Sequence, residues 1–201
     1  MVLKKKFKLG DLDAPKFERN ATITEQAFVG MIVSAIEVFK KESYGALIGE
    51  VHRKHFLVTD SYTYQTAKRD YMSVSVLRTR QLRVSRSLGL FTNSKVIGDF
   101  HSHPGGPNFL SEWDKKDLLK LCQGLTVLVS IFESDKERKW EFNTDLSISG
   151  SISKRYFIKM SAFEVDREKQ KIYPIKIVCP YLRKFNKNRL YVHGIYKSQL
   201  I

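Results

Sequence analysis

The residues best suited to do chemistry lie in one stretch, Gly98 to Asp114, which reads GDFHSHPGGPNFLSEWD. On an extended strand, side chains two apart face the same way, about 6–7 Å apart along the chain, so His101 and His103 can aim two imidazoles at one point. Two imidazoles suit a zinc ion. The Gly/Pro loop at Pro104–Pro107 lets the chain fold back, and Asp114 starts the next helix, where its carboxylate can complete a His, His, Asp set. Three protein ligands leave a fourth tetrahedral position for water, the pattern of a catalytic rather than a structural zinc site. Such a site also needs a carboxylate to take the water's proton and return it to the leaving group. Glu42 is the candidate, because it ends a long helix immediately before the apolar strand Tyr44–Gly49. As an isolated residue after Lys40 and Lys41 it is an ordinary surface charge, so its role rests on the Gly45/Gly49 pattern that follows.

Three neighbours carry weaker signals. Ser111 to Asp114 has the spacing of a capped helix start, in which the serine hydroxyl accepts a backbone N–H; that hydroxyl can still donate its own proton elsewhere. Asp99 faces the same side as His101 but lies far from His103 along an extended strand, which makes it a partner of the ligands rather than a ligand. His52 and His55, three apart on one strand, point to opposite faces and read as surface histidines.

The elements that must position these residues follow from periodicity. Thr22 and Glu25 have capping-box spacing, and Ala27, Phe28, Met31, Ile32, Ala35, Ile36 and Phe39 recur at three and four, which predicts an amphipathic helix to about Lys41. Tyr44–Glu50 and His55–Asp60 read as strands, and Ser61–Ser75 as polar and irregular. Val76–Leu88 reads as a helix closed by Gly89, or as the extension of a strand begun at Val74. Lys95–Phe100 is a short strand, a helix starts at Ser111, and Leu125–Phe132, Trp140–Leu146, Ser153–Val165 and Lys171–Val178 are further strands. This order predicts an α/β or α+β fold with a sheet sandwiched by helices.

Taken together, Glu42-x-x-Gly45-x-Leu47-x-Gly49, then His101-Ser-His103-Pro, then Ser111-x-x-Asp114 resembles the active-site motif of the JAMM (MPN+) metalloprotease family. The resemblance runs from about Phe17 to Val178. It implies a mixed, mostly antiparallel curved sheet, cytidine-deaminase-like, in a domain over 1–178, with 179–201 as a basic extension packed on or beside it. It also implies a zinc isopeptidase that releases ubiquitin or a ubiquitin-like protein from a lysine amine. Carried over by position, His101, His103 and Asp114 would bind one catalytic zinc ion, Glu42 would be acid/base, and Ser111 would steady the oxyanion. The family places a substrate-gripping insertion where Ser61–Ser75 falls. A slim Gly-Gly tail held by strand addition at a sheet edge would reach such an ion. The same chemistry on a small sulfur-carrier-like protein is an alternative substrate.

Length and charge bound the remaining possibilities. At 201 residues the chain is of single-domain size. Its net charge of +14 comes from two segments: 151–201, with 12 Lys/Arg against 3 Asp/Glu, and 76–95, with Arg78, Arg80, Arg83, Arg86, Lys95 and no acid. Such an excess favours an acidic modifier or nucleic acid as partner, and Tyr181, Phe185, Tyr191 and Tyr196 are interleaved with the basic tail. No named nucleic-acid motif occurs, so a solvated basic face is the favoured reading. A nucleic-acid-associated or scaffold protein with a vestigial metal site is the competing function, and the intact Glu42, His101, His103, Asp114 set argues against it. The apolar charge-free stretches, Gln26–Ile36 and Leu121–Phe132, fall short of the ~18 residues that cross a bilayer, so no membrane partner is expected. The first ten residues lack the apolar run of a secretory signal, and the expected location is cytoplasmic. Cys122 and Cys179 cannot form a disulfide framework and read as buried thiols.

Overall fold

A computed structural model describes residues 19–186, apart from 54, 66, 70–73, 92, 122–123 and 167. In chain order the elements are β1 (Asn20–Ile23), α1 (Glu25–Glu37), β2 (Tyr44–His52), β3 (His55–Thr63), β4 (Lys68–Arg69), β5 (Val74–Ser75) and α2 (Arg78–Phe91). They continue with β6 (Lys95–Pro104), α3 (Glu112–Leu121), β7 (Leu125–Glu133), β8 (Glu141–Phe142), β9 (Ile148–Ile152), β10 (Tyr156–Asp166) and β11 (Lys171–Val178). Strands pair in the order β11-β1-β3-β2-β6-β7-β10, and β10 pairs again with β11, while β9 and β8 extend outward from β10. The sheet is therefore a closed barrel rather than the sheet sandwiched by helices that the element order predicts. Closure depends on β11, which runs parallel to β1 through Asn20↔Lys176 and antiparallel to β10 through Ala162↔Ile175. The first of these pairings joins opposite ends of the chain, and no local period can announce it. The expected mixture holds: β1–β11, β1–β3 and β6–β7 are parallel and the other pairs antiparallel.

Several boundaries move for identifiable reasons. Thr22 is spent in the β1 ladder opposite Leu57 and Val178, so Thr24 caps α1 instead, its Oγ1 accepting the Ala27 N–H at 3.4 Å. The helix stops at Glu37 rather than near Lys41, and the chain turns with Lys40 at φ 81. β3 runs on to Thr63, and β4 with β5 forms a small hairpin inside the stretch expected to be irregular. α2 passes through Gly89, where an added Cβ would meet open space, so glycine does not end it. His52 and His55 are not on one strand; they face each other across the β2–β3 hairpin, with His52 2.6 Å from Glu50.

The core packs together the elements that carry the site. α1 packs Phe28, Met31, Ile32 and Ala35 against β3, β6 and β7. β7 is buried from Leu125 to Ile131 because both of its faces are covered: Val127, Val129 and Ile131 join the main core, while Leu128 joins Leu110, Leu118 and Val165 beneath α3. The glycines of β2 have a steric reason. A Cβ on Gly45 would strike the Phe100 ring and the Tyr62 carbonyl, and one on Gly49 the Leu57 carbonyl. Glycine thus lets β2 fit tightly between β3 and β6.

Past β11, Cys179 and Leu182 are fully buried in the main core, and Asn186 exchanges hydrogen bonds with the Trp140 backbone. Tyr181 and Phe185 also pack on the core, while Cys122, Tyr191 and Tyr196 lie outside the described residues. Among the described residues no helix is long and apolar enough to cross a membrane.

Candidate metal centre

β6 continues beyond Phe100 to Pro104, and its last residues pair with β7 through His101↔Leu128 and His103↔Ser130. That rail carries both imidazoles into the protein; each residue is buried. After the strand, the Gly105 N–H bonds the Ile131 carbonyl at 2.7 Å, turning the chain so that α3 begins beside the strand it has just left. At the start of α3 the Ser111 Oγ accepts the Asp114 N–H at 3.1 Å, and the Asp114 Oδ2 accepts the Ser111 N–H at 2.7 Å. This reciprocal cap aims the Asp114 carboxylate at the histidines.

The donor atoms of His101, His103 and Asp114 all lie within 4.8 Å of one another. His101 Nε2 is 3.6 Å from Asp114 Oδ1 and His103 Nε2 is 3.4 Å from Asp114 Oδ2. Ligands about 2.1 Å from a tetrahedral zinc ion are about 3.4 Å apart, so both spacings suit one ion. His101 Nε2 supplies a second indication: it is buried with no hydrogen-bond partner. A buried polar atom without a partner is uncommon, and a metal ion would satisfy it. His103 Nδ1 faces the Pro107 carbonyl at 3.1 Å; a carbonyl only accepts, so Nδ1 carries the proton and Nε2 keeps its lone pair toward the cluster.

The electrostatics agree with a site that wants a cation. Burial pushes His101 down to about 4, so its ring is neutral at physiological pH. Burial also works against a charged His103, but Asp114, the Pro107 carbonyl and Glu42 outweigh it and leave that ring raised. Asp114 is opposed by burial too, yet His103, His101 and Ser111 hold it well below the usual carboxylate range. Glu42, only 8% exposed, behaves differently: burial lifts it from 4.5 to about 7, with His103 pulling it down and Asp114 pushing it up. A carboxyl poised near neutrality can both take and give a proton. The four residues singled out in the sequence, with Ser111, therefore occupy one neighbourhood.

Sequence reasoning missed what holds Glu42 there. Ser102 Oγ accepts the Ser43 N–H at 2.8 Å and the Ser43 hydroxyl at 3.0 Å, and the Ser102 N–H bonds the Ser43 carbonyl at 3.0 Å. This fully buried latch ties the residue after Glu42 to the residue between the two histidines. The signal was present, since each serine is adjacent to a candidate site residue. Asp99 is not bonded to either histidine. Its carboxylate accepts from Thr126 Oγ1 at 2.7 Å and from the Tyr44 hydroxyl at 3.3 Å, and burial raises it to about 6 despite both bonds. Gln81 of α2 donates to the same Tyr44 oxygen at 3.4 Å, so Tyr44 joins α2 to the floor of the site. An open groove along α1, lined by Glu25, Gln26, Val29, Gly30, Val33 and Asp60, shares no residue with this cluster.

The family described as prokaryotic homologs of the JAB domain matches residues 24–143, a span that contains every residue of the cluster. Comparison with curated proteins finds no match. Among solved structures, protein DSY2949 from Desulfitobacterium hafniense, determined in solution, is similar with a TM-score of 0.56. That likeness covers 79% of this chain and 92% of the other at 17% identity, and it speaks to the fold alone.

Proposed function

The chain belongs to the prokaryotic homologs of the JAB domain, and from that premise we propose that it is a zinc-dependent isopeptidase acting on a ubiquitin-like protein joined to a lysine amine. The observation that carries this reading is the convergence of His101, His103 and Asp114 around a buried, unpartnered His101 Nε2, with Glu42 close enough to feel the charges of His103 and Asp114. Zinc held by these three side chains would supply Lewis-acid activation of a water and of the scissile carbonyl. Glu42 takes the proton from that water and delivers it to the departing lysine amine, a task suited to a carboxyl lifted to about 7. Ser111 keeps its acceptor role toward the Asp114 N–H while its own hydroxyl proton is turned to the developing oxyanion. Asp114, fixed by the Ser111 N–H, stays ionised and holds its place beside both histidines.

The test is incubation of the full chain with fusions in which a ubiquitin-like protein, or a small sulfur-carrier-like protein, is joined through Gly-Gly to lysine. Cleavage that stops on chelation and in Glu42→Gln supports the reading. Intact substrates in every arm, with metal bound, overturn it. α2 favours a further property, binding of an anionic partner. Arg78, Arg83 and Arg86 are exposed on a helix with no acid, as the 76–95 charge pattern anticipates, and 151–201 adds to the same excess. Nucleic acid bound only through these charges would be released steeply as salt rises; tight binding above physiological salt would favour the nucleic-acid function over the enzyme.

A further inference from the structure

Single exposed apolar side chains need no explanation, but two large aromatics bracketing a candidate catalytic serine do. Phe109 is 63% exposed and Trp113 78% exposed, on either side of Ser111. The segment that carries them is not loose. The Pro107 carbonyl accepts from Ser130 Oγ at 3.1 Å and faces His103 Nδ1, Leu110 is buried beneath α3, and Ser111 and Asp114 cap each other. Both rings are thus held in water by a chain locked on each side of them, which is how binding hot spots are presented. One turn along α3, the Lys116 ammonium lies 5.4 Å from the Trp113 ring centroid. Its neighbour Lys115 is paired with Glu112 at 2.6 Å; Lys116 acts on the same carboxylate only from farther off and forms no ion pair among the described residues.

From this geometry we propose that Phe109 and Trp113 grip the lysine-bearing chain of the substrate and that Lys116 selects an acidic residue on it. The inference rests on the isopeptidase reading above. A modifier tail ending in Gly-Gly offers no side chain beside the scissile bond, so rings carried on the segment that supplies Ser111 and Asp114 have little to hold on that side. The lysine-bearing chain does offer side chains there. An apolar one would cover the rings, and an adjacent carboxylate would meet the Lys116 ammonium.

The probe is a peptide with Gly-Gly joined to the ε-amine of a lysine flanked by phenylalanine and glutamate. One control carries glycine flanks and a second carries lysine in place of glutamate. The full chain should cleave the first with a KM about tenfold below that of the glycine control, a difference that Trp113→Ala or Phe109→Ala abolishes while kcat holds. Lys116→Glu should reverse the preference between the glutamate and lysine probes. A second readout needs no turnover. The chain has two tryptophans, and Trp140 is 1% exposed, so acrylamide quenching reads Trp113. The phenylalanine/glutamate probe should protect Trp113 in the Glu42→Gln protein. Cleavage with equal KM for all probes and no protection overturns the grip and leaves the isopeptidase reading standing; protection without cleavage by the natural chain overturns the isopeptidase reading alone.

Discussion

Replacing Glu42 by Gln in metal-free protein should change how stability depends on pH, by an amount the structure sets. Burial lifts this carboxyl from 4.5 to about 7, and each unit is worth about 1.36 kcal/mol, so ionising it in the folded protein costs about 3 kcal/mol more than in the unfolded chain. The sign follows from proton counting: between those values the folded state holds the extra proton, so its stability is full below pH 4.5 and falls as pH rises through 7. Glutamine has no proton to lose. Asp99, raised to about 6, adds a similar slope at lower pH, and His101, depressed to about 4, adds an opposite one, but both proteins share them. The advantage of Glu42→Gln over the natural chain should therefore widen from about 1 kcal/mol at pH 5 to about 3 kcal/mol at pH 8. Urea unfolding in chelator at pH 5, 6, 7 and 8 measures it. A difference that stays constant across that range would refute the claim that Glu42 sits in a desolvating pocket poised for proton transfer.

Other substitutions separate overlapping roles. Ser111→Ala removes the acceptor for the Asp114 N–H, a loss of about 1 kcal/mol in thermal or urea unfolding. If the hydroxyl also serves the oxyanion, kcat falls by a further ~10²–10³, and an unchanged kcat would reduce Ser111 to a cap. Ser102→Ala leaves the buried Ser43 N–H and hydroxyl without their acceptor, which should lower stability by about 1–3 kcal/mol; an unaltered urea midpoint would show that the latch holds nothing. Gly49→Ala drives a Cβ into the Leu57 carbonyl, so the purified variant should unfold at markedly lower urea, and an unchanged midpoint would contradict the close packing of β2 against β3.

The site was far more legible in the sequence than the architecture around it. His101 and His103 show the two-residue period of a strand, and Ser111 with Asp114 shows a helix start, so local rules suffice to bring those groups together. Lys171–Val178 appears with the bounds read from the sequence. Barrel closure was not legible, because it joins Asn20 to Lys176, and periodicity carries no information about partners so far apart. The same limit explains Thr22, whose capping pattern was overridden by ladder bonds on both sides, and His52 with His55, whose hairpin turn was not recognised. Asp99 was placed on the correct face but given the wrong partners, since Thr126 and Tyr44 come from neighbouring strands that only the sheet order brings near.

Metal content of the purified full chain tests the central claim most directly. Elemental analysis should find one zinc per chain, retained in Glu42→Gln and lost in Asp114→Ala, with a fall in thermal stability when chelator strips it from the natural protein. Protein that carries no metal after growth with zinc, and unfolds at the same temperature with and without chelator, would contradict the account.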